Sequence, residues 1–266
     1  MKLMRRLTHS SLRLNPVRTM VTILGIALST ALITAVLTLF SCGRDAFINY
    51  KRAQDGDWHV ALYSVDENRI EQIAAMDEVE RISRVKGIGF SRIEGIQNDS
   101  KPYVCVRAYD ETSMETLGIR LTQGRLPKEP NEIVIPSHLY TNGRFKDWKV
   151  GDQITLELGQ RETGSTVYPL YLNNAYDPAI EEKLIHNQNK TYTVVGQTER
   201  PSYLIENLDA AGYTCVTALG DDHSDGYTVF VRLKKTALNH IEEILEKLTG
   251  ESVDSFGEFG YHKYGT

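Results

Sequence analysis

Three cysteines in 266 residues are too few for a disulfide framework. Cys105 and Cys215 lie in strand-like apolar runs and read as buried free thiols, with a bridge between them as the alternative. Phosphate-loop chemistry is also missing. No Gly-x-x-x-x-Gly-Lys-Ser/Thr run is present, which excludes ATP hydrolysis by the usual route. His-Glu-x-x-His and the Gly-x-Ser-x-Gly elbow are absent too. The seven histidines are scattered, and the densest acidic grouping, Asp221-Asp222-His223 with Asp225, is flanked by Gly220 and Gly226 and reads as a turn. No catalytic residue, cofactor or metal site is therefore expected, and the chain is not read as an enzyme. A basic stripe is lacking as well. Of 30 basic and 35 acidic residues, five of the basic ones fall in the first 18 positions. The remainder carries 25 basic against 35 acidic residues, net −10, which excludes nucleic acid as a partner.

One long hydrophobic run is present and no second one follows it. Thr19 to Gly43 is 25 residues without Asp, Glu, Lys or Arg. At ~1.5 Å per residue a helix of that length covers roughly 37 Å, against about 30 Å of hydrocarbon. The segment before it holds Lys2, Arg5, Arg6, Arg13 and Arg18 and no acid. By the positive-inside rule the N-terminus stays in the cytoplasm and the main domain lies outside the cell membrane. The bilayer is thus the first partner. A cleaved signal would need a shorter apolar region and a small-residue cleavage site. Leu39-Phe40-Ser41-Cys42 is an imperfect lipoprotein box, which keeps lipidation at Cys42 as an alternative to a retained helix. Along the helix Gly25 and Ser29 fall at four-residue spacing, as do Ala27, Ala31 and Ala35. Gly25, Ser29 and Ala31 are candidates for close packing with another membrane helix.

Beyond the span the helix is expected to continue through Ala46 to Arg52 and to break at Asp55-Gly56-Asp57. Trp58 to Tyr63 reads as a strand, with Val60 and Leu62 on one face. Ser64 and Glu67 form a candidate capping box before a short helix whose inner face is Ile70, Ile73 and Ala74. Val79 to Arg92 follows as a strand, bent or bulged at Gly87 and Gly89. The βα order returns near the end: Tyr227 to Leu233 alternates, and Leu238, Ile241, Leu245 and Leu248 recur at helical spacing. Glu243 and Lys247 are placed for an i,i+4 pair, and Gly250 for a stop. Between the two units, strands are expected at 101–108, 132–136, 153–158, 191–195 and 213–218, with a turn at 149–152. Residues 164–190 are polar and rich in Tyr and Asn and read as a long loop, with a short helix over 178–186 as the alternative. Tyr168, Tyr171 and Tyr176 are its candidate partner contacts.

Two stretches carry a family resemblance. Residues 15–29, "NPVRTMVTILGIALS", resemble the entry to the first membrane helix of FtsX-like ABC transporter permeases. "LGIRLTQGRLPKEPNEIVIP" (117–136), "KVGDQITL" (149–156) and "YTVVGQTE" (192–199) resemble, in that order, the MacB-type extracytoplasmic core domain of the same permeases. The expected fold class is α+β: one N-terminal transmembrane helix, then a two-lobed extracytoplasmic domain. The resemblance implies a mixed α/β lobe from 44–105 and 226–266 and an inserted β-rich lobe at 106–225, behind a leader at 1–18 and a span at 19–43. It also implies a separate cytoplasmic ABC ATPase subunit, a second permease subunit, and an extracytoplasmic substrate or protein as partners. Such permeases carry further membrane helices after this domain, so a truncated permease is expected. A stand-alone anchored binding domain is the alternative.

Overall fold

The computed structural model describes residues 16–164, 169–220, 226–249 and 259–261. The chain forms two compact units that divide between Tyr50 and Lys51. The first is helical throughout its described part. It belongs to α1 (Pro16–Asp55), which runs for 40 residues and ends where Gly56 takes a positive φ of 93°. Met20, Leu24, Leu28, Leu32 and Leu39 are all exposed, and none of the span's apolar window is buried. A helix apolar all round is at home in lipid. Four of its hydroxyls are satisfied internally, as lipid requires: Thr22, Ser29, Thr30 and Thr34 each donate to the carbonyl four residues earlier at 2.8–2.9 Å.

In the second unit β1 (Val60–Val65) leads to α2 (Glu67–Ala74) and β2 (Val79–Arg92). Next come β3 (Tyr103–Tyr109), α3 (Glu111–Thr116), β4 (Leu121–Gly124), β5 (Glu132–Pro136) and α4 (Ser137–Thr141). Then follow β6 (Gln153–Thr163), β7 (Pro169–Leu170), β8 (Glu182–Thr198), β9 (Gly212–Ala218) and β10 (Tyr227–Leu233). A 3-10 turn (Ala237–His240) enters α5 (Ile241–Thr249), and β11 (Phe259–Tyr261) pairs on the edge of β1. Among the described residues all strands join one sheet, ordered β11-β1-β10-β2-β3-β9-β5-β8-β6-β7, with β4 beside β8.

That path bends back on itself. Phe90 of β2 pairs with Gly159 of β6, so β2, β3, β9, β5, β8 and β6 close into a ring. Gly89 makes the closure feasible: its φ is +152°, and a Cβ there would meet the Gly159 backbone at 3.2 Å. The register of β2 on β3 shifts between Gly87 and Gly89, as expected from the two glycines. Inside the ring lie Val104, Val106, Ile133, Ile135, Leu156, Tyr192, Val194 and Cys215, all buried. A separate core joins the chain's two βα units: Val60, Leu62, Ile70 and Ile73 pack with Val229, Val231, Leu233, Leu238, Ile241, Leu245 and Leu248.

Four local expectations need correction. Ser64 does not cap α2; it takes a positive φ of 54°, and Asp66 accepts from the Arg69 amide at 2.8 Å instead. Ala74 is exposed, because α2 is only two turns long and buries Ile70 and Ile73. Lys247 pairs not with Glu243 but with Glu78 at 2.9 Å, since a neighbouring segment offers a carboxylate. Residues 182–190 are strand, not loop or helix: β8 runs alongside β6, with Glu182 opposite Thr163 and Gln188 opposite Leu158. Gly250 and the grouping at 221–225 lie outside the described residues.

Candidate functional site

Two connections, 171–181 and 199–211, lie side by side. Asn207 N donates to Asn173 Oδ1 at 3.0 Å, and Ala211 N donates to Leu172 O at 3.1 Å. Each is held from beneath by a buried ion. Under the first, Arg161 is fully buried and makes a bidentate pair with Glu182 at 2.8 and 2.9 Å. Its remaining donors reach the carbonyls of Tyr171 and Asn174, both at 3.1 Å, and its guanidinium stacks over Phe90 and Tyr103. Under the second, Glu206 is fully buried. It accepts from Lys101 Nζ and His138 Nε2, both at 2.6 Å, and from the Thr214 amide at 2.8 Å. Burial alone would raise its pKa, but the His138 and Lys101 contacts outweigh burial and bring it down to about 2. Turn formers Pro201, Asn207 and Asp209 shape the connection. Ser202 O accepts from the amides of Ile205 and Glu206.

Several outward side chains of these connections are large and apolar, set among exposed Asn173, Asp177, Glu199 and Asp209. Tyr171 is 64% and Leu208 75% exposed, and Tyr203 and Leu204 are about half exposed. Large apolar side chains on conformationally pinned loops are what a partner-contact surface needs, because little ordering entropy remains to be lost on binding.

A cleft of about 200 Å³ opens beside Tyr203. Its floor is Tyr109, Leu117, Ile205 and Val216, all buried. Arg120, Glu199, Arg200 and Tyr203 form the rim, and Ala53 and Gln54 the wall. The Arg200 guanidinium lies 4.0 Å from the Tyr203 ring centroid. Arg120 pairs with Glu199 at 3.4 Å and donates to the Ala53 carbonyl. The volume is below the ~300–1,000 Å³ of small-molecule sites, enough for one side-chain-sized group. Asp55, 4% exposed, accepts from Ser202 Oγ at 2.6 Å beside it.

Among the described residues no group of three His, Cys, Asp or Glu could hold a metal. His59 accepts from the Leu233 amide at 3.0 Å, and burial, aided by Arg52, lowers its pKa to about 4, so it is a neutral structural histidine. The arginine of Gly-Arg-Leu-Pro, Arg125, pairs with Glu132, which also accepts from the Lys128 amide at 2.8 Å. Together these bonds brace the turn that leads into β5.

Of the three tyrosines expected at a partner surface, Tyr171 is outward, Tyr176 is half-buried, and Tyr168 lies outside the described residues. Tyr176 packs edge-on against Tyr103 at 5.8 Å. Tyr203, Leu204 and Leu208 did not stand out in the sequence; the one signal was the apolar run Tyr203-Leu204-Ile205 and a lone Leu208 amid turn formers in "PSYLIENLDAAG". Gly25, Ser29 and Ala31 are exposed on α1, and Cys42 is exposed within that helix. Cys105 and Cys215 are free. They occupy neighbouring strands but different cores, Cys105 with Phe90 and Cys215 inside the ring. Burial pushes the Cys105 thiol up to about 12 and that of Cys215 well above its usual value.

Solved structures give distant similarities. The periplasmic region of MacB from Actinobacillus actinomycetemcomitans is 10% identical, with a TM-score of 0.41 over 80% of this chain and 92% of that one. The extracellular domain of the noncanonic ABC-type transporter YknZ from Gram-positive bacteria is 8% identical, with a TM-score of 0.43 over 77% and 99%. A domain of a putative permease from Porphyromonas gingivalis is 12% identical, with a TM-score of 0.39 over 79% and 88%. No curated protein matches the chain. The sequence profile of the MacB-like periplasmic core domain matches residues 19–248, so the chain belongs to the MacB-like periplasmic core domain family.

Proposed function

We propose that this chain is the membrane-anchored extracytoplasmic part of an ABC permease, driven by a separate cytoplasmic ATPase subunit and engaging a substrate or partner protein outside. The observation that carries the reading is the family match over residues 19–248, which begins within the exposed apolar helix α1. The basic leader ending at Arg18 supports a cytoplasmic N-terminus. We divide the extracytoplasmic part into an α/β lobe at 44–105 with 226–266 and a β-rich lobe at 106–225; the core that packs the two βα units and the core inside the ring support that division, while a further core joining Trp58, Val85 and Phe230 to Tyr109, Val134 and Val216 runs across it. In the membrane, Gly25 and Ser29 on one face of α1, and Ala31 on another, are the contacts for further helices, including those of a second permease subunit. Outside, Tyr171, Tyr203, Leu204 and Leu208 are the partner contacts.

Two experiments test this reading. Native membranes containing the tagged chain should yield an ABC ATPase subunit on purification. A chain recovered alone from cells that make its ATPase would favour a stand-alone anchored binding domain. Photocrosslinkers at Tyr203, Leu204 and Leu208 in living cells should each trap an extracytoplasmic protein or peptide. If none of the three gives an adduct while one at Glu157 on the exposed face of β6 does, the contact surface is elsewhere.

A further inference from the structure

We propose that the Ser202 hydroxyl is a latch between the last turn of α1 and the 199–211 connection, and that this latch sets how far the neighbouring cleft opens. The inference rests on the reading of α1 as the element an ATPase moves. Residues 51–55, the last turn, belong to the same compact unit as the connection. Ser202 Oγ donates to Asp55 Oδ1 at 2.6 Å in a buried setting, and it also accepts from the Leu204 amide at 3.2 Å. One hydroxyl therefore holds both the helix end and the turn at 202–206.

The far end of the connection cannot follow. Glu206 is fixed by Lys101, His138 and the Thr214 amide, and Arg200 Nη2 donates to the carbonyls of Glu206 and Asn207 at 3.0 and 3.1 Å. Tyr203 and Ile205 lie between these two posts, and both line the cleft. Ala53 and Gln54 line it from the helix side. A displacement of the last turn must break the Asp55–Ser202 bond or carry Tyr203 and Ile205 away from Val216 and Leu117. Either result opens the cleft. Other contacts of the last turn leave this geometry unchanged: Trp58 Nε1 and Lys51 Nζ both hold Asp55 itself, at 2.8 and 3.3 Å. Arg120 adds a second tie across the cleft, through the Ala53 carbonyl, but its charge is half exposed and screened. Occupancy of the cleft and position of the helix end are then thermodynamically linked, each biasing the other.

The test is cysteine accessibility in the full chain, reconstituted in nanodiscs. Cys42→Ser removes the exposed thiol, Cys105 and Cys215 stay buried, and Val216→Cys places a reporter on the floor. Adding Ser202→Ala removes a hydrogen bond to a carboxylate, so maleimide labelling of the reporter should accelerate about tenfold or more. Ser202→Thr, which keeps the hydroxyl, should restore slow labelling. A reporter at Ile244→Cys, in the other core, should not change. If Val216→Cys does not fold, hydrogen exchange of the Ile205 and Glu206 amides in the chain with Val216 intact gives the same reading, with faster exchange in Ser202→Ala. Unchanged rates in Ser202→Ala would overturn the latch, as would an equal rise at Ile244→Cys, which signals global opening. No ATPase is present in these assays, so failure of the latch leaves the permease reading standing, and failure to recover an ATPase leaves the latch standing.

Discussion

Replacing Glu206 with Gln should cost about 3–5 kcal/mol of stability. The substitution keeps shape and volume but removes the charge that Lys101 and His138 share. Lys101 is 5% exposed, and its ammonium ends on Glu206 Oε1 at 2.6 Å. Breaking a buried pair while leaving one charge behind costs about 3–5 kcal/mol. The same contacts set a pH dependence. The Glu206 carboxyl has its pKa lowered from 4.5 to about 2 in the folded chain, by His138 and Lys101 against the opposing effect of burial. A depressed carboxylate adds stability that is present above its unfolded pKa and lost as pH falls through the folded one. About 2.5 pH units correspond to about 3 kcal/mol, in the same range. Urea unfolding of the full chain in detergent, followed between pH 6 and pH 2.5, reads both quantities. In the native chain stability should decline below about pH 4.5; in Glu206→Gln the curve should start lower and lose that part of its decline. A loss under ~1 kcal/mol at pH 6 with an unaltered acid limb would mean that the carboxylate is not the post the geometry describes.

The second post allows a comparable test with a rescue. Arg161→Ala should destabilise by about 3–5 kcal/mol and expose 171–180 to protease, while Arg161→Met with Glu182→Leu should recover much of the loss, because two apolar side chains leave no unpaired ion; equal protection in Arg161→Ala would refute the anchoring of that connection. Gly89→Ala should cost about 1–3 kcal/mol in thermal unfolding, since φ is +152° and the Gly159 backbone is 3.2 Å from the new Cβ; a neutral result would show that β2 and β6 do not need the close approach. Neither Cys105 nor Cys215 should react with iodoacetamide at pH 8 in the folded chain, as both are buried with raised pKa values, and both should react in urea. Leu208→Asp should change stability by less than ~0.5 kcal/mol, because the side chain is 75% exposed, while weakening crosslinking at Leu204.

What one dimension can hold, the sequence determined: the uncharged run from Thr19 to Gly43, the strands Val79–Arg92, Glu132–Pro136 and Tyr227–Leu233, and the inward face of Leu238, Ile241, Leu245 and Leu248. Each signal is local, a length in lipid or a repeat of 2 or 3.6 residues. The tertiary structure decided whatever depends on a distant partner. Residues 182–190 show no apolar alternation in the sequence, and their strand character comes from pairing with the backbone of β6. Lys247 chose Glu78, 169 positions away, over a neighbour on its own helix. The ring closes through two glycine-lined backbones at Phe90 and Gly159, which no periodicity announces. Glu206 and Arg161 look like ordinary surface charges in the sequence. They are buried because Lys101, His138 and Glu182 converge on them only after the strands have paired, and it is that convergence which turns Tyr171, Tyr203, Leu204 and Leu208 outward on pinned backbone.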